Sequence, residues 1–223
     1  MNTEWKYAPK SLDEYIFGTD AVKDTVMQYV EGGARRPLIL HGFFGAGKSL
    51  LADLIPKAID GSAVMVDRIN GSDLVNKTQQ LEFLDRPERF DHLFEPADQS
   101  RWYTIVEEMS VDVKAKEAMR VLMDKMSQRT QFIFTTNELH KIDGAIQSRS
   151  EVLRIDPLTA EQFLPRAEHI LEAEGVRIPR DLLGQILEDV YVNYRDNREY
   201  YKTLDRLIFK AKQRNKAAVD VAY

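Results

Sequence analysis

The stretch Gly42-Phe43-Phe44-Gly45-Ala46-Gly47-Lys48-Ser49 limits this chain more than any other feature. It fits the spacing G-x-x-x-x-G-K-[ST] at every fixed position. The apolar run Pro37-Leu38-Ile39-Leu40 precedes it, and Leu50-Leu51-Ala52-Asp53-Leu54-Ile55 follows it, so the pattern predicts strand, loop and helix. The glycines let the backbone fold tightly enough for successive N–H groups to point at phosphate oxygens. The following helix adds its positive N-terminal end. In such a loop a lysine placed like Lys48 reaches the β- and γ-phosphates, and a hydroxyl placed like that of Ser49 ligates Mg²⁺. The candidate phosphate-binding residues are Phe44, Gly45, Ala46, Gly47, Lys48, Ser49 and Leu50, and the implied ligands are ATP and Mg²⁺.

A loop of this kind belongs in an α/β sheet, and the rest of the chain supplies one. Ala21 to Gly33 has apolar residues at helical spacing, with a helix entry at Gly18-Thr19-Asp20 and a stop at Gly32-Gly33. Further strands are predicted at AVMVDRI (63–69), WYTIVEEM (102–109), QFIFTTN (131–137) and after the turn in IQSRSEVLRI (146–155). Helices are predicted at 48–59, 73–84 and 113–129, and a polar loop at 86–101. The alternation implies a parallel five-stranded sheet between helices. After Asp156-Pro157 only helical patterns remain, split near Gly175 and Ile178-Pro179. The expected domains are 1–156, carrying the phosphate loop, and 157–223, small and all-helical.

A phosphate loop needs an acidic partner at the end of a neighbouring strand. Tyr103-Thr104-Ile105-Val106 runs straight into Glu107-Glu108. Glu107 is the candidate Mg²⁺ partner, where most such enzymes carry Asp, and Glu108 is the candidate to polarise an attacking water. Asn137 ends the following strand and is placed to orient that water. The alternative readings are a strand ending in solvated acids and an ordinary turn asparagine.

Composition removes several other classes. There is no cysteine, which excludes disulfides and thiolate metal sites. The four histidines show no metal-ligand spacing. No apolar run approaches the ~18 residues of a membrane helix. The polar N-terminus has no signal-peptide core, so a cytoplasmic location and no membrane partner are expected. The net charge of −5 argues against nucleic-acid binding by the whole surface. It leaves room for the local basic stretch Arg206, Lys210, Lys212, Arg214 and Lys216, which equally reads as a solvated helix face.

Several stretches together resemble the AAA+ ATPases, and within them the clamp-loader group typified by the small subunits of replication factor C. Trp5-Lys6-Tyr7-Ala8-Pro9-Lys10-Ser11-Leu12-Asp13-Glu14 resembles the N-terminal box KYRPKTLDE, with Ala8 in place of an arginine. Asp67 to Asp73 resembles ELNASD, and Ala118 to Met123 resembles ALRRTM. Phe132 to Asn137 is similar to the sensor 1 strand, Ile146-Gln147-Ser148-Arg149-Ser150 to IQSRC, and Arg195-Asp196-Asn197-Arg198 to the sensor 2 motif GDLR. The resemblance runs from about residue 5 to 205. It implies an AAA+ P-loop NTPase core followed by a helical lid domain. It also implies that Tyr7 lies in the segment around the adenine, that Arg198 touches the γ-phosphate of its own subunit, and that Arg149 reaches the ATP of the next subunit. Family loaders carry a further helical collar, and the expectation here is a relative without it.

The resemblance implies ATP hydrolysis to ADP and phosphate by a homo- or hetero-oligomer acting in DNA replication or repair. Expected partners are DNA, through Arg120 and the basic stretch, and a sliding clamp or another replication protein. A second reading is an ATP-gated adaptor whose main partner is a helicase, polymerase or nuclease effector. A third is a nucleotide-binding structural subunit without turnover, against which Lys48, Ser49, Glu108, Asn137 and Arg149 all speak.

Overall fold

A computed structural model describes residues 2–32, 36–61, 65–71, 102–109, 123 and 130–220, with side chains up to residue 214. The expected helix 73–84, loop 86–101, Arg120 and most of the helix 113–129 lie outside the described residues; Met123 of that helix is helical and buried.

The described elements are α1 (Thr3–Lys6), α2 (Asp20–Glu31), β1 (Leu38–His41), α3 (Lys48–Asp60), β2 (Met65–Asn70), β3 (Trp102–Glu107), β4 (Thr130–Thr136), α4 (Gly144–Gln147), β5 (Glu151–Arg154), α5 (Ala160–Ala173), α6 (Arg180–Tyr194) and α7 (Asn197–Asp220). Among the described residues they divide into two compact units. One holds residues 19–42 and 48–155; the other holds residues up to Gly18, Phe43–Gly47, and those from Asp156 onward.

The sheet unit has five strands in the order β2-β3-β4-β1-β5, all parallel. Strand alternation sorts its side chains onto two faces. Ile39, Ile69, Val106, Phe132 and Phe134 lie on one face and cluster with Met123, Ile142 and Ile146. On the other face, Tyr103 Oη donates to Asp60 of α3 at 2.6 Å, and Arg68 pairs with Asp53 of α3. The odd residues of β3 therefore face α3. Its central strands β1, β3 and β4 are buried almost throughout, as parallel strands covered on both faces are.

The helical unit has its own core. Phe163 of α5 and Tyr200 of α7 stack with centroids 4.5 Å apart, beside Ile170, Leu187, Leu204 and Ile208. Tyr200 Oη donates to the Leu158 carbonyl at 2.9 Å, so the buried hydroxyl is satisfied. The entry to α5 is a full capping box between Thr159 and Gln162.

The N-terminal segment opens with the short α1, which Asn2 caps through its side chain by accepting the Trp5 N–H at 3.2 Å. Helix α2 begins at the expected Thr19 cap and stops at the expected Gly32, which caps it in a right-handed conformation at φ −72°.

Candidate functional site

The phosphate loop begins where β1 ends. Gly42 has φ +137°, and a Cβ there would overlap the Ile155 carbonyl just beyond β5. Gly45 (φ +64°) and Gly47 (φ +95°) also take values that other residues rarely adopt. The loop thus carries three glycines at positive φ. Lys48 opens α3, is buried, and its Nζ donates to the Gly42 carbonyl at 2.9 Å, across its own loop. Ser49 is exposed in the first turn of α3, and Leu50 is half-buried.

Within the sheet unit, the acids stand where the alternation puts them. Glu107 is the last residue of β3, on the face that meets α3, the helix carrying Lys48 and Ser49. Its Oε1 accepts from Arg68 Nη1 at 2.7 Å, and the same guanidinium pairs with Asp53. Arg68 therefore fixes the direction of the Glu107 carboxylate. Glu108 follows in a left-handed conformation, φ +51°, uncommon for a residue with a side chain. Its N–H donates to Thr135 Oγ1 at 3.3 Å, and the Met109 N–H to the Thr135 carbonyl at 2.9 Å, so β4 holds this turn. Gly71 permits the approach, since a Cβ there would lie 2.7 Å from the Glu108 carbonyl oxygen.

Strand β4 lies between β1 and β3. Asn137, half-buried at its end, follows the strand that separates the phosphate-loop strand from the acid strand. Arg149 is exposed just after α4, and its Nη1 donates to the Ala145 carbonyl at 3.0 Å. The remaining candidates are in the helical unit. Tyr7 Oη donates to Glu174 at 3.0 Å, its carbonyl accepts from Arg166 at 3.1 Å, and its ring meets His169 edge-on. Arg198 is exposed in the first turn of α7, with Nε 3.7 Å from Asp196. Phe44, Gly45, Ala46 and Gly47 belong to this unit too, and Phe44 is exposed.

A family model for the ATPase family associated with various cellular activities (AAA) matches residues 38–157, from the start of β1 to beyond β5. The chain belongs to the AAA family. It is similar to replication factor C small subunit 2 of Pyrobaculum arsenaticum, 29% identical over 189 residues, which are 82% of this chain and 56% of that protein. It is also similar to replication factor C subunit 5 of Homo sapiens, 30% identical over 191 residues, 81% of this chain and 54% of that one. The chain spans about half the length of these curated relatives. RuvB of Thermotoga maritima, a Holliday junction branch migration motor, shares the fold with a TM-score of 0.70 at 18% identity, over 89% of this chain and 64% of that one.

Sequence reasoning missed three groups that touch candidate residues of this AAA chain. Arg68 is the first; only strand pairing brings it to Glu107. Tyr15 is the second: its hydroxyl faces Gly47, where a Cβ would lie 3.0 Å away, and burial pushes its pKa well above the usual phenol value. Asp196 is the third, and its carboxylate lies against Gly45. The last two sit inside stretches quoted for the family resemblance or next to them, but nothing in residue type or spacing marks them.

No helix among the described residues is long and apolar enough to cross a membrane, and they contain no cluster of three or more His, Cys, Asp or Glu able to hold a metal. Mg²⁺ bound with a nucleotide needs only one or two protein oxygens beside phosphates and water. Ser49 and the Arg68-oriented Glu107 fit that donor set.

Proposed function

We propose that this AAA protein binds ATP with Mg²⁺ and hydrolyses it to ADP and phosphate as an oligomer of the clamp-loader type, in DNA replication or repair in the cytoplasm. One observation carries the reading. The three-glycine loop leads into a helix that bears Lys48 and Ser49, and that helix covers the sheet face on which Glu107 ends the acid strand.

In this reading the loop N–H groups from Phe44 to Leu50 and the Lys48 ammonium bind and orient the phosphates. Ser49 and Glu107 hold Mg²⁺, which supplies positive charge against the charge building on the phosphates. Glu108 accepts the proton of the attacking water, and Asn137 orients that water. Tyr7 belongs to the segment around the adenine, and Arg198 contacts the γ-phosphate. Arg149, exposed beyond α4, serves the ATP of a neighbouring subunit. We further propose residues 1–156 as the ATPase domain and 157–223 as the lid. The N-terminal segment up to Gly18 nonetheless belongs to the helical unit, with Thr3 bound to Asp205 and Lys6 to Glu174.

DNA and a sliding clamp, or another replication protein, are the proposed partners. The similarity to replication factor C subunits supports this. So does the outer side of α7, where Arg206, Lys210 and Arg214 recur every fourth residue and are all exposed. Contacts of that kind grip phosphates without reading sequence.

The test is ATP turnover per subunit across a range of protein concentrations, with and without primed DNA. Specific activity that climbs with concentration, and further with DNA, is the expected outcome. Flat turnover, indifferent to both, would refute a shared site and a DNA partner.

A further inference from the structure

Gly45 and the turn at residues 195–198 meet inside the helical unit. Gly45 stands at φ +64°, and a Cβ on it would overlap Oδ1, Cγ and Oδ2 of Asp196 together. The carboxylate thus lies against the α-carbon of Gly45 in the phosphate loop, Oδ1 nearest. The Asn197 N–H donates to the Gly45 carbonyl at 3.2 Å, a main-chain bond between the loop and the start of α7. Asn197 Oδ1 in turn accepts the Leu158 N–H at 2.9 Å. The turn holds a rare conformation as well, since Arg195 is left-handed at φ +49° without being glycine.

A carboxylate is an odd group to hold against a loop whose N–H groups bind phosphate. Its charge opposes the ligand. Capping α7 explains only part of its presence. Asp196 Oδ1 accepts the Arg198 N–H at 2.8 Å, but a neutral Asn or Ser caps about as well. The charge itself has a second target, the Arg198 guanidinium, with Nε 3.7 Å from the same oxygen. That pair is exposed on the arginine side, so solvent screens it and a stronger anion outcompetes it.

We propose that Asp196 is a positioning residue that acts as a charge gate on the phosphate loop. It holds Arg198 until a nucleotide with a γ-phosphate draws the guanidinium away, and so sets the preference between triphosphate and diphosphate. The proposal rests on the reading of Arg198 as the γ-phosphate contact. Removing the charge frees Arg198 in advance, which helps ATP more than ADP, and lifts the repulsion of both.

The experiment measures equilibrium binding of fluorescent ATP and ADP analogues to the full chain with Mg²⁺, for the parent, Asp196→Asn, Arg198→Ala and the double variant. Asp196→Asn is expected to bind ATP about three- to tenfold more tightly. The gain for ADP is smaller, so the preference for ATP widens, and the widening disappears in the Arg198→Ala background. Asp196→Ser also caps without charge and stands in if the Asn variant melts early. Unchanged or weaker ATP binding in both neutral variants, with ATP preference lost in Arg198→Ala, overturns the gate alone. An undiminished ATP preference in Arg198→Ala overturns the γ-phosphate reading and the gate with it.

Discussion

The two compact units hold their candidate residues by different means. In the sheet unit, position follows from regular geometry: the pleat sends Tyr103, Ile105 and Glu107 toward α3, and β4 falls between β1 and β3. In the helical unit, position depends on polar contacts between segments far apart in sequence. Thr3 binds Asp205, Glu174 gathers Lys6, Tyr7 and Lys212, and Asp196 joins Gly45 to Arg198. Groups fixed by a sheet are hard to displace, which suits chemistry. Groups fixed by exposed charge pairs move at low cost, which suits control.

Substitutions can break that contrast. Arg149→Ala should have the largest effect, lowering turnover by about 10³-fold or more, because an arginine given in trans stabilises transition-state charge. The variant's own ATP affinity should hold in a binding titration; if affinity falls in step with turnover, Arg149 serves its own site. Glu108→Gln comes next, with turnover down by about 10²–10⁴-fold and ATP binding kept. Phosphate release at the parent rate from that variant would remove Glu108 as the base.

Gly45→Ala tests the boundary between the two modes. The added methyl meets both a left-handed backbone and the Asp196 carboxylate, so it should cost more than ~1 kcal/mol of stability and weaken nucleotide binding. Combining it with Asp196→Gly should recover part of the loss in a thermal melt. No recovery would mean that the backbone alone forbids the methyl.

The smallest effect concerns Glu174. Hydrogen bonds from Lys212 and Lys6 hold its pKa at about 2, against an ordinary 4.5, although both lysines are more than half exposed. A carboxylate depressed on folding contributes stability that is fully present above its unfolded value. That contribution is lost as pH falls through the folded one. Glu174→Gln should therefore melt a few degrees below the parent at neutral pH, and the gap should close between pH 4.5 and about 2. A gap independent of pH would assign the difference to packing.

Much of the sheet unit was legible because its signals are local. The glycine spacing, the apolar run before it and the paired acids after Val106 each occupy a few consecutive residues. Parallel strands also announce themselves by burial on both faces. The Arg68 contact was not legible, because it depends on which strand neighbours β3. The helical unit was legible as helices split near Gly175, but not as an arrangement, and its Thr159–Gln162 capping box was not singled out.

The sequence by itself determined the phosphate loop and the succession of strands and helices, and it offered the paired acids and the asparagine as candidates; Arg149 and Arg198 came from the family resemblance. The loop and the strands depend on residue type and short-range spacing, which chain connectivity preserves. Only the tertiary structure decided that Asp196 lies against Gly45, that Arg68 bridges Glu107 and Asp53, and that Tyr15 faces Gly47. Each of these joins residues separated by many positions, and a single sequence carries no record of such distances until packing closes them.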